Sequence, residues 1–336
     1  MLFFIIIISG TLIVISANSW VRAWIGLEVN LLSFIPLIID NKNLISNEAS
    51  VKYFLTQAIA SSILLFSVIL VLIKNNFNFQ IIHINFNYLL YIILFALSLK
   101  SGIAPFHFWF PGVIEGLSWI NSLLLITWQK IAPLLLISYL IINNIIIIIT
   151  LSIMVGSLGG LNQTSIRKII AFSSISHLGW ILRSIIINEN LWILYFILYR
   201  YLSLVLVYFF NLFKIFQLNQ LFNLFFNFKI NKFLWIINFL SLGGLPPFLG
   251  FFPKWLIIQY LIMNNYLFIT ILMVIITLIT LYFYIRISYS AFIINYYENN
   301  WVINNIFNNF YMNVYLFISF ISLLGLPIIN FLYFIF

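Results

Sequence analysis

Long apolar segments separated by short polar clusters run through the sequence from its first residues to its last. A membrane-spanning α-helix needs about 20 predominantly apolar residues. The pattern therefore predicts an all-α polytopic membrane protein with about eleven transmembrane helices. The predicted spans are Leu2–Ala17, Trp20–Ile39, Ala49–Ile73, Tyr88–Ala104, Leu117–Ile142, Ile145–Leu161, Ile166–Ile187, Leu191–Phe213, Phe233–Met263, Tyr266–Ser290 and Met312–Phe336.

Two of these spans are interrupted by glycine and proline, near residues 100–111 and 243–253. The first runs into Gly102, Pro105 and Pro111, and the second contains Gly243–Pro247 in its middle. Proline removes a backbone donor and breaks a helix. Irregular backbone at membrane depth is tolerated only against protein or a watery cavity. We therefore expect two discontinuous helices, which in membrane proteins point to ion or substrate sites.

Composition supports a membrane protein and excludes several other classes. Of 336 residues, 64% are hydrophobic and 6% are charged, with 15 Lys or Arg against 6 Asp or Glu. The loops are short, so we expect one integral membrane domain over residues 1–336. The cations are scattered singly, which disfavours nucleic-acid binding. The absence of cysteine excludes disulfides and thiolate-bound iron–sulfur clusters, so any redox cofactor has to be bound elsewhere.

The distribution of cations between loops predicts the orientation, because positive charge concentrates on the inner side. Even-numbered loops and their helix ends carry eight cations and odd-numbered loops carry three. The N-terminus is therefore predicted on the inner side and the C-terminus on the outer side. The even-numbered set is Lys42, Lys52, Arg167, Lys168, Lys214, Lys229, Lys232 and Arg286, and the odd-numbered set is Arg22, Lys74 and Arg183.

Five charged residues fall inside apolar segments: Glu28, Lys100, Lys130, Arg200 and Lys254. Lys130 lies near the middle of its predicted span. A charge at a helix centre costs about 2.5–3.5 kcal/mol on insertion scales, so such residues usually face a bundle interior or water. Arg200 has no acid nearby in sequence, and it is as well explained as a structural anchor as by a place in a charge path.

Buried lysines have the chemistry that a proton relay needs. Burial disfavours the charged ammonium form and a nearby carboxylate favours it, so a lysine can switch its charge as a partner approaches or leaves. Arginine cannot, because it stays protonated. The alternative is that these lysines reach to the membrane surface or pair statically with carbonyl groups.

Two histidines are further relay candidates. His107 follows the first interruption, and His177 lies among serines in the middle of Ile166–Ile187. Imidazole exchanges protons near neutral pH. A packing role explains each of them as well.

Six segments, taken in order, resemble the mitochondrial NADH dehydrogenase subunit 2 family, the antiporter-like membrane subunits of respiratory complex I. The resemblance extends from Trp20 to about Ala291. The segments are Trp24–Asn30, Leu99–Trp109, Trp128–Pro133, Gly159–Thr164, Phe172–Trp180 and Gly243–Phe248, with Lys254 and Trp255 following.

The resemblance implies roles for four of the buried residues. Glu28 and Lys100 correspond to the family's glutamate and lysine pair, Lys130 to its central lysine, and Lys254 to the lysine of the second broken helix. These residues are implied to line a hydrated path for protons. Larger members have fourteen helices, so eleven imply an antiporter-like fold that lacks the first three.

The resemblance also implies the setting. The chain is expected to be an obligate partner of other complex I membrane-arm subunits and lipids in the mitochondrial inner membrane. Its N-terminus is then expected on the matrix side and its C-terminus on the intermembrane-space side. NADH, FMN, iron–sulfur clusters and ubiquinone belong to other subunits, and no cofactor or metal is expected on this chain. The alternatives are a cation/proton antiporter subunit and a structural subunit without its own proton path.

Overall fold

A computed structural model describes residues 2–40, 43–74, 87–140, 145–224, 229–290 and 309–335. Fifteen helices make up these residues almost completely. Lys42, one of the cations that orient the chain, lies outside the described residues. The helices are α1 (Leu2–Ile15), α2 (Trp20–Ile38), α3 (Leu44–Lys74), α4 (Asn87–Ser101), α5 (Trp109–Gly116), α6 (Trp119–Thr127), α7 (Ile131–Ser138), α8 (Ile145–Gly160), α9 (Ile166–Ile187), α10 (Glu189–Phe213), α11 (Leu218–Leu224), α12 (Lys229–Gly243), α13 (Phe251–Met263), α14 (Leu267–Tyr289) and α15 (Asn309–Ile335).

The predicted all-α membrane class is confirmed. Seven helices in the described part of the chain are long and apolar enough to cross a membrane, and five shorter apolar helices accompany them. Joining α4 with α5, α6 with α7 and α12 with α13, and leaving out the seven-residue helix α11, gives eleven candidate crossings among the described residues. This number agrees with the one predicted from the apolar segments.

The chain divides into two compact units, Met1–Ser152 and Ile153–Phe336. In the first unit α1 packs on α2, α2 on α3, and α3 on both α4 and α5. In the second unit α10 packs on α9, α12 and α15, and α12 also packs on α14. Each unit contains one of the two predicted interruptions.

Both predicted interruptions are present. Helix α4 ends at Ser101 and α5 begins at Trp109, with irregular backbone between them. Helix α12 ends at Gly243 and α13 begins at Phe251. Gly102 and Gly244 have positive φ angles of 73° and 82°, a backbone region that glycine adopts without steric cost. These two glycines let the chain turn immediately after each helix end.

A third interruption was not anticipated, since Leu117–Ile142 is predicted as one unbroken span. The structure divides it into α6 and α7, with Trp128–Lys130 between them. Pro133 lacks the N–H that would bond to the carbonyl of Gln129, and this missing bond accounts for the break. The single crossing is therefore made of two helices, and Lys130 lies at their junction.

Helix α9 is the most enclosed of the long apolar helices described in the second unit, with 83% of an 18-residue stretch buried. Small residues on α8 let α9 approach closely. A Cβ atom added at Gly156 would lie 2.5 Å from the backbone nitrogen of Ser176 and 2.8 Å from the carbonyl oxygen of Phe172. Backbone atoms cannot move aside as a flexible side chain does, so this contact requires glycine. Small residues commonly mark such helix contacts in membranes.

We predict that Gly156→Ala destabilises the protein. The extra methyl group overpacks a backbone contact, which typically costs about 1–3 kcal/mol. Gly112→Ala is the matched control, because a Cβ at Gly112 meets nothing within 4 Å. Thermal denaturation of the purified protein compares the two variants. Equal stability of both would show that the contact between α8 and α9 is not close.

Candidate functional site

Two buried lysines of the first unit occupy helix breaks. Lys100 lies in the last turn of α4, beside the first interruption, and Lys130 lies between α6 and α7. Their side chains are 7% and 1% exposed. Helices α4 and α7 pack together. The sequence places both lysines in apolar segments, and the structure brings them to one region of this unit.

Side chains hold the backbone around Lys100. The indole Nε1 of Trp109 donates a hydrogen bond of 3.1 Å to the carbonyl oxygen of Leu99. The amide Nε2 of Gln57, on α3, donates one of 3.2 Å to the carbonyl oxygen of Lys100. The carbonyl oxygen of Leu99 also accepts from the backbone nitrogen of Gly102 at 3.3 Å. The bond from Gln57 satisfies the carbonyl group of Lys100, which lies in the last turn of α4.

Lys100 and Lys130 line the same internal cavity, which has a volume of about 20 Å³. Gln57, Gln129 and Tyr53 line it as well. Within the described residues, Nζ of Lys100 and Nε2 of Gln129 are buried and have no hydrogen-bond partner. A polar cavity needs about 10–15 Å³ to hold one water molecule. The cavity thus has both the room and the donors for a water between the two lysines.

Glu28, on α2, is the acidic member of this region. It is close enough to Lys100 and to Tyr53 to act on both electrostatically. No direct ion pair joins Glu28 to Lys100, and Oε1 of Glu28 is buried without a hydrogen-bond partner among the described residues. The two ions thus attract each other without being locked in contact.

Lys130 also contacts an aromatic ring. Its Nζ lies 4.4 Å from the ring centroid of Phe110, on α5. An ammonium group over an aromatic face is stabilised by the ring quadrupole. The side chain of Lys130 therefore stays inside the bundle instead of extending to a membrane surface, which is against the alternative that it snorkels.

His107 lies in the first interruption but not in the lining of the cavity. Its Nδ1 is 3.2 Å from the carbonyl oxygen of Pro105, and its ring contacts that of Phe108, with 4.2 Å between centroids and 34° between the ring planes. The structure does not bring His107 to the two lysines. Its local contacts are those of a packed residue.

In the second unit, Lys254 binds the end of the broken helix. It lies in the first turn of α13, and its Nζ donates to the carbonyl oxygens of Gly243 at 2.7 Å and Leu242 at 3.5 Å. The C-terminal end of a helix carries a partial negative charge that a cation stabilises. This is the carbonyl pairing that the sequence leaves open as the static alternative.

His177 belongs to a buried hydrogen-bonded cluster between α9 and α10. Its Nδ1 is 2.9 Å from the hydroxyl oxygen of Tyr195, and its ring lies 4.8 Å from the Tyr199 ring between centroids. The hydroxyl of Tyr199 in turn bonds to Ser174. His177 thus contacts two tyrosines of α10, and the serine hydroxyls near it in sequence donate to carbonyl groups of α9.

Arg200 and Arg183, both in the second unit, each have an aromatic partner. The guanidinium carbon of Arg200 lies 5.5 Å from the ring of Phe196, one turn earlier on α10. Arg183 differs from its expected place with the loop and helix-end cations, because it is only 2% exposed inside α9. Its guanidinium carbon lies 4.9 Å from the ring of Tyr266. Arg183 therefore contributes little to the orientation count.

Several polar residues of these sites were not singled out from the sequence. They are Tyr53, Gln57 and Gln129 around the first cavity, and Tyr195 and Tyr199 around His177. A neutral polar residue in an apolar helix gives little indication of which neighbour it contacts. For Gln129 a signal was available, because it lies beside Lys130 and four residues before Pro133.

Two family models match the chain in succession. The model described as NADH:quinone oxidoreductase/Mrp antiporter, transmembrane, matches residues 17–280. The model described as NADH dehydrogenase subunit 2 C-terminus matches residues 281–333.

Comparisons with individual proteins agree with these matches. NADH-ubiquinone oxidoreductase chain 2 of Anopheles gambiae is 58% identical over 99% of this chain and 98% of that protein. A chain of respiratory complex I from Thermus thermophilus with bound aureothin has the same fold, with a TM-score of 0.85, 21% identity and coverage of 97% of this chain and 77% of that one. A chain of the Mrp complex from Dietzia aligns with a TM-score of 0.76, 17% identity and coverage of 86% and 59%.

The two structural likenesses show the fold alone, whereas the sequence identity and the consecutive family models show the family. With 58% identity to a curated relative over nearly all of both sequences, this chain belongs to the NADH-ubiquinone oxidoreductase chain 2 family.

Proposed function

We propose that this chain is a membrane-arm subunit of proton-pumping NADH:ubiquinone oxidoreductase, and that it carries protons without binding a redox centre. Family membership supports the assignment to the complex. The observation that supports the proton path is that Lys100 and Lys130 line one small polar cavity while Glu28 acts on Lys100 from outside it.

The chemistry of the first unit suits proton transfer. Lys100 lacks a hydrogen-bond partner among the described residues, so its charge depends on the field of Glu28 and on the contents of the cavity. Attraction by a carboxylate favours the ammonium form, and burial disfavours it. We infer that a water in the cavity connects the two lysines, and that a proton passes between them when the Glu28 interaction weakens.

The second unit contributes Lys254 and the cluster around His177. Lys254 as an ammonium donor satisfies the last carbonyl groups of α12. When it loses a proton it gives up part of that interaction, so its charge is coupled to the broken helix. His177 and Tyr195 supply adjoining groups that exchange protons through hydrogen bonds. His107 is a weaker relay candidate, because it lies away from the cavity of the first unit.

The energy for this path comes from other subunits. Moving one charge across about 100 mV requires roughly 2.3 kcal/mol. NADH oxidation through FMN and iron–sulfur clusters to ubiquinone supplies this energy in the proposed complex, and this chain receives it through contact with its partners. The chain is therefore an obligate member of a hetero-oligomer, embedded with lipids in the mitochondrial inner membrane as one integral membrane domain.

We propose that the N-terminus faces the matrix and the C-terminus faces the intermembrane space. The excess of cations in even-numbered loops supports this orientation. Burial of Arg183 removes one cation from the opposite side and leaves the bias in the same direction.

A cation/proton antiporter is the second candidate, favoured by the shared fold of the Mrp complex chain. A sodium-selective site needs hard oxygen ligands. The sequence has no aspartate in any predicted span, and Glu28 is the acid within an apolar segment. The much higher identity to NADH-ubiquinone oxidoreductase chain 2 favours the complex I function.

We predict that Lys130→Met in the assembled complex abolishes proton pumping and slows coupled NADH oxidation at least about tenfold, the factor that corresponds to 1.4 kcal/mol of barrier. Methionine fills a similar volume but cannot accept or donate the transferred proton. Proton uptake and NADH oxidation are measured together in proteoliposomes.

Lys52→Met is the matched control, because Lys52 is an exposed lysine that pairs with Glu48 on the same helix. It should leave pumping unchanged, since exposed ion pairs contribute little. Unchanged pumping and electron transfer in the Lys130 variant would exclude Lys130 from the path and would favour the structural role.

The Lys254→Arg variant distinguishes two roles of Lys254, as a carrier of protons and as a static cap of helix α12. Arginine keeps a cation beside the carbonyl groups of Leu242 and Gly243 but does not release its proton. We expect the variant to assemble at a normal level and to lose pumping. Native gel quantification and proton uptake are the measurements. A variant that assembles and pumps as the wild type does would show that Lys254 only caps α12.

A further inference from the structure

A large cavity of the second unit is lined by none of the residues assigned to proton transfer. Its volume is about 650 Å³, within the range of roughly 300–1,000 Å³ that is common for small-molecule sites. It is lined by the loop between α8 and α9, by the segment from Gln217 to Asn219, and by the last turn of α14.

Hydrogen bonds between these segments fix the walls of the cavity. The backbone nitrogen of Ile166 donates to the carbonyl oxygen of Phe216 at 3.1 Å, and that of Leu218 donates to Thr164 at 3.2 Å. Nη1 of Arg286 donates to the carbonyl oxygen of Leu161 at 3.2 Å. The cavity is therefore part of the folded unit and not a gap between independent loops.

The lining contains both polar and apolar groups. The polar members are Arg286 and the exposed side chains of Asn162, Thr164, Gln217 and Asn219. The buried apolar members are Ile169, Phe283 and Ile287. A ligand that contacts both kinds of group has an anionic or polar head joined to an apolar body.

The positively charged residues around the cavity favour an anionic ligand. Arg286 lines it, and its bond to Leu161 uses one of the five N–H donors of the guanidinium group. Arg167 and Lys168 begin α9 beside the lining loop. The described residues of the second unit include one acidic side chain, Glu189, which lies beyond the other end of α9, about 33 Å away at 1.5 Å per residue. Guanidinium groups bind phosphate oxygens with strong, directional hydrogen bonds.

Exposed tyrosines indicate the depth at which the cavity lies in the membrane. Tyr282 and Tyr289 on α14 are 58% and 57% exposed and flank the turn that lines the cavity. Exposed tyrosines concentrate where the hydrocarbon meets the headgroups. Basic pockets between helices at this level bind the head groups of anionic lipids.

We propose that this cavity binds the phosphodiester head group of an anionic membrane lipid, with Arg286 as the principal phosphate ligand. The neutral polar side chains contact the remaining head-group oxygens, and the glycerol and acyl chains follow the apolar wall. This site is separate from the proton path, so it does not rest on the proposed function.

The test uses the intact complex labelled with photoreactive cardiolipin or with photoreactive phosphatidylcholine of the same acyl chains. We expect cardiolipin, but not phosphatidylcholine, to label peptides from residues 161–169 and 283–290. Arg286→Gln should reduce this labelling about fivefold, the ratio that corresponds to roughly 1 kcal/mol per cation near an anionic lipid surface. Arg286→Lys should keep most of it.

Arg22→Gln is the matched control, because Arg22 is an exposed arginine of the first unit. It should leave the labelling of these peptides unchanged. If Arg286→Gln does not assemble, Thr164→Asp places a repelling carboxylate in the lining and should reduce labelling while leaving Arg286 in place.

Several outcomes would overturn the proposal. Equal labelling by phosphatidylcholine would show a general lipid contact without recognition of the anion. Full displacement of cardiolipin by excess inorganic phosphate would assign the site to free phosphate. Absence of labelling from these peptides in the wild type would show that a protein segment or partner fills the cavity. In the Lys130→Met variant, cardiolipin should label these peptides as in the wild type. Failure of the proton path and failure of this site are therefore distinguishable.

Discussion

A helix that stops inside a membrane leaves its last carbonyl oxygens without backbone partners, and most features of this protein follow from how those oxygens are satisfied. Water is scarce in the hydrocarbon layer, and each unsatisfied group costs several kcal/mol there. Helix α12 ends at Gly243, and the ammonium group of Lys254 binds its last carbonyl groups. Helix α4 ends at Ser101, and neutral side chains of Gln57 and Trp109 perform the same task.

The difference between the two helix ends has a chemical consequence. In the second unit the cation is engaged directly by the backbone, so its proton is coupled to the broken helix. In the first unit the amide and the indole occupy the carbonyl groups, and the ammonium group of Lys100 is left facing a small polar cavity with Lys130 on its lining. In the proposed path, the charge on Lys100 therefore depends on Glu28 and on water in the cavity.

The sequence was sufficient for features that depend on composition along the chain. Span number, the breaks near Gly102 and Gly244, and the burial of Lys100, Lys130 and Lys254 follow from apolar length, from glycine and proline, and from charges in apolar segments. Features that depend on packing could not be predicted from the sequence. The break before Ile131 had a local signal in Pro133. The cavity, in contrast, is lined by residues of six helices, and no short sequence pattern shows which helix faces pack together. Burial of Arg183 inside α9 likewise depends on packing that no short sequence pattern shows.

The central claim is that water connects Lys100 to Lys130 within the first unit, and a high-resolution electron density map of the assembled complex tests it most directly. The account predicts an ordered water in the cavity, about 2.7–3.2 Å from Nζ of Lys100 and from Nζ of Lys130. A cavity that holds no water, with Lys100 bound directly to Glu28, would contradict it.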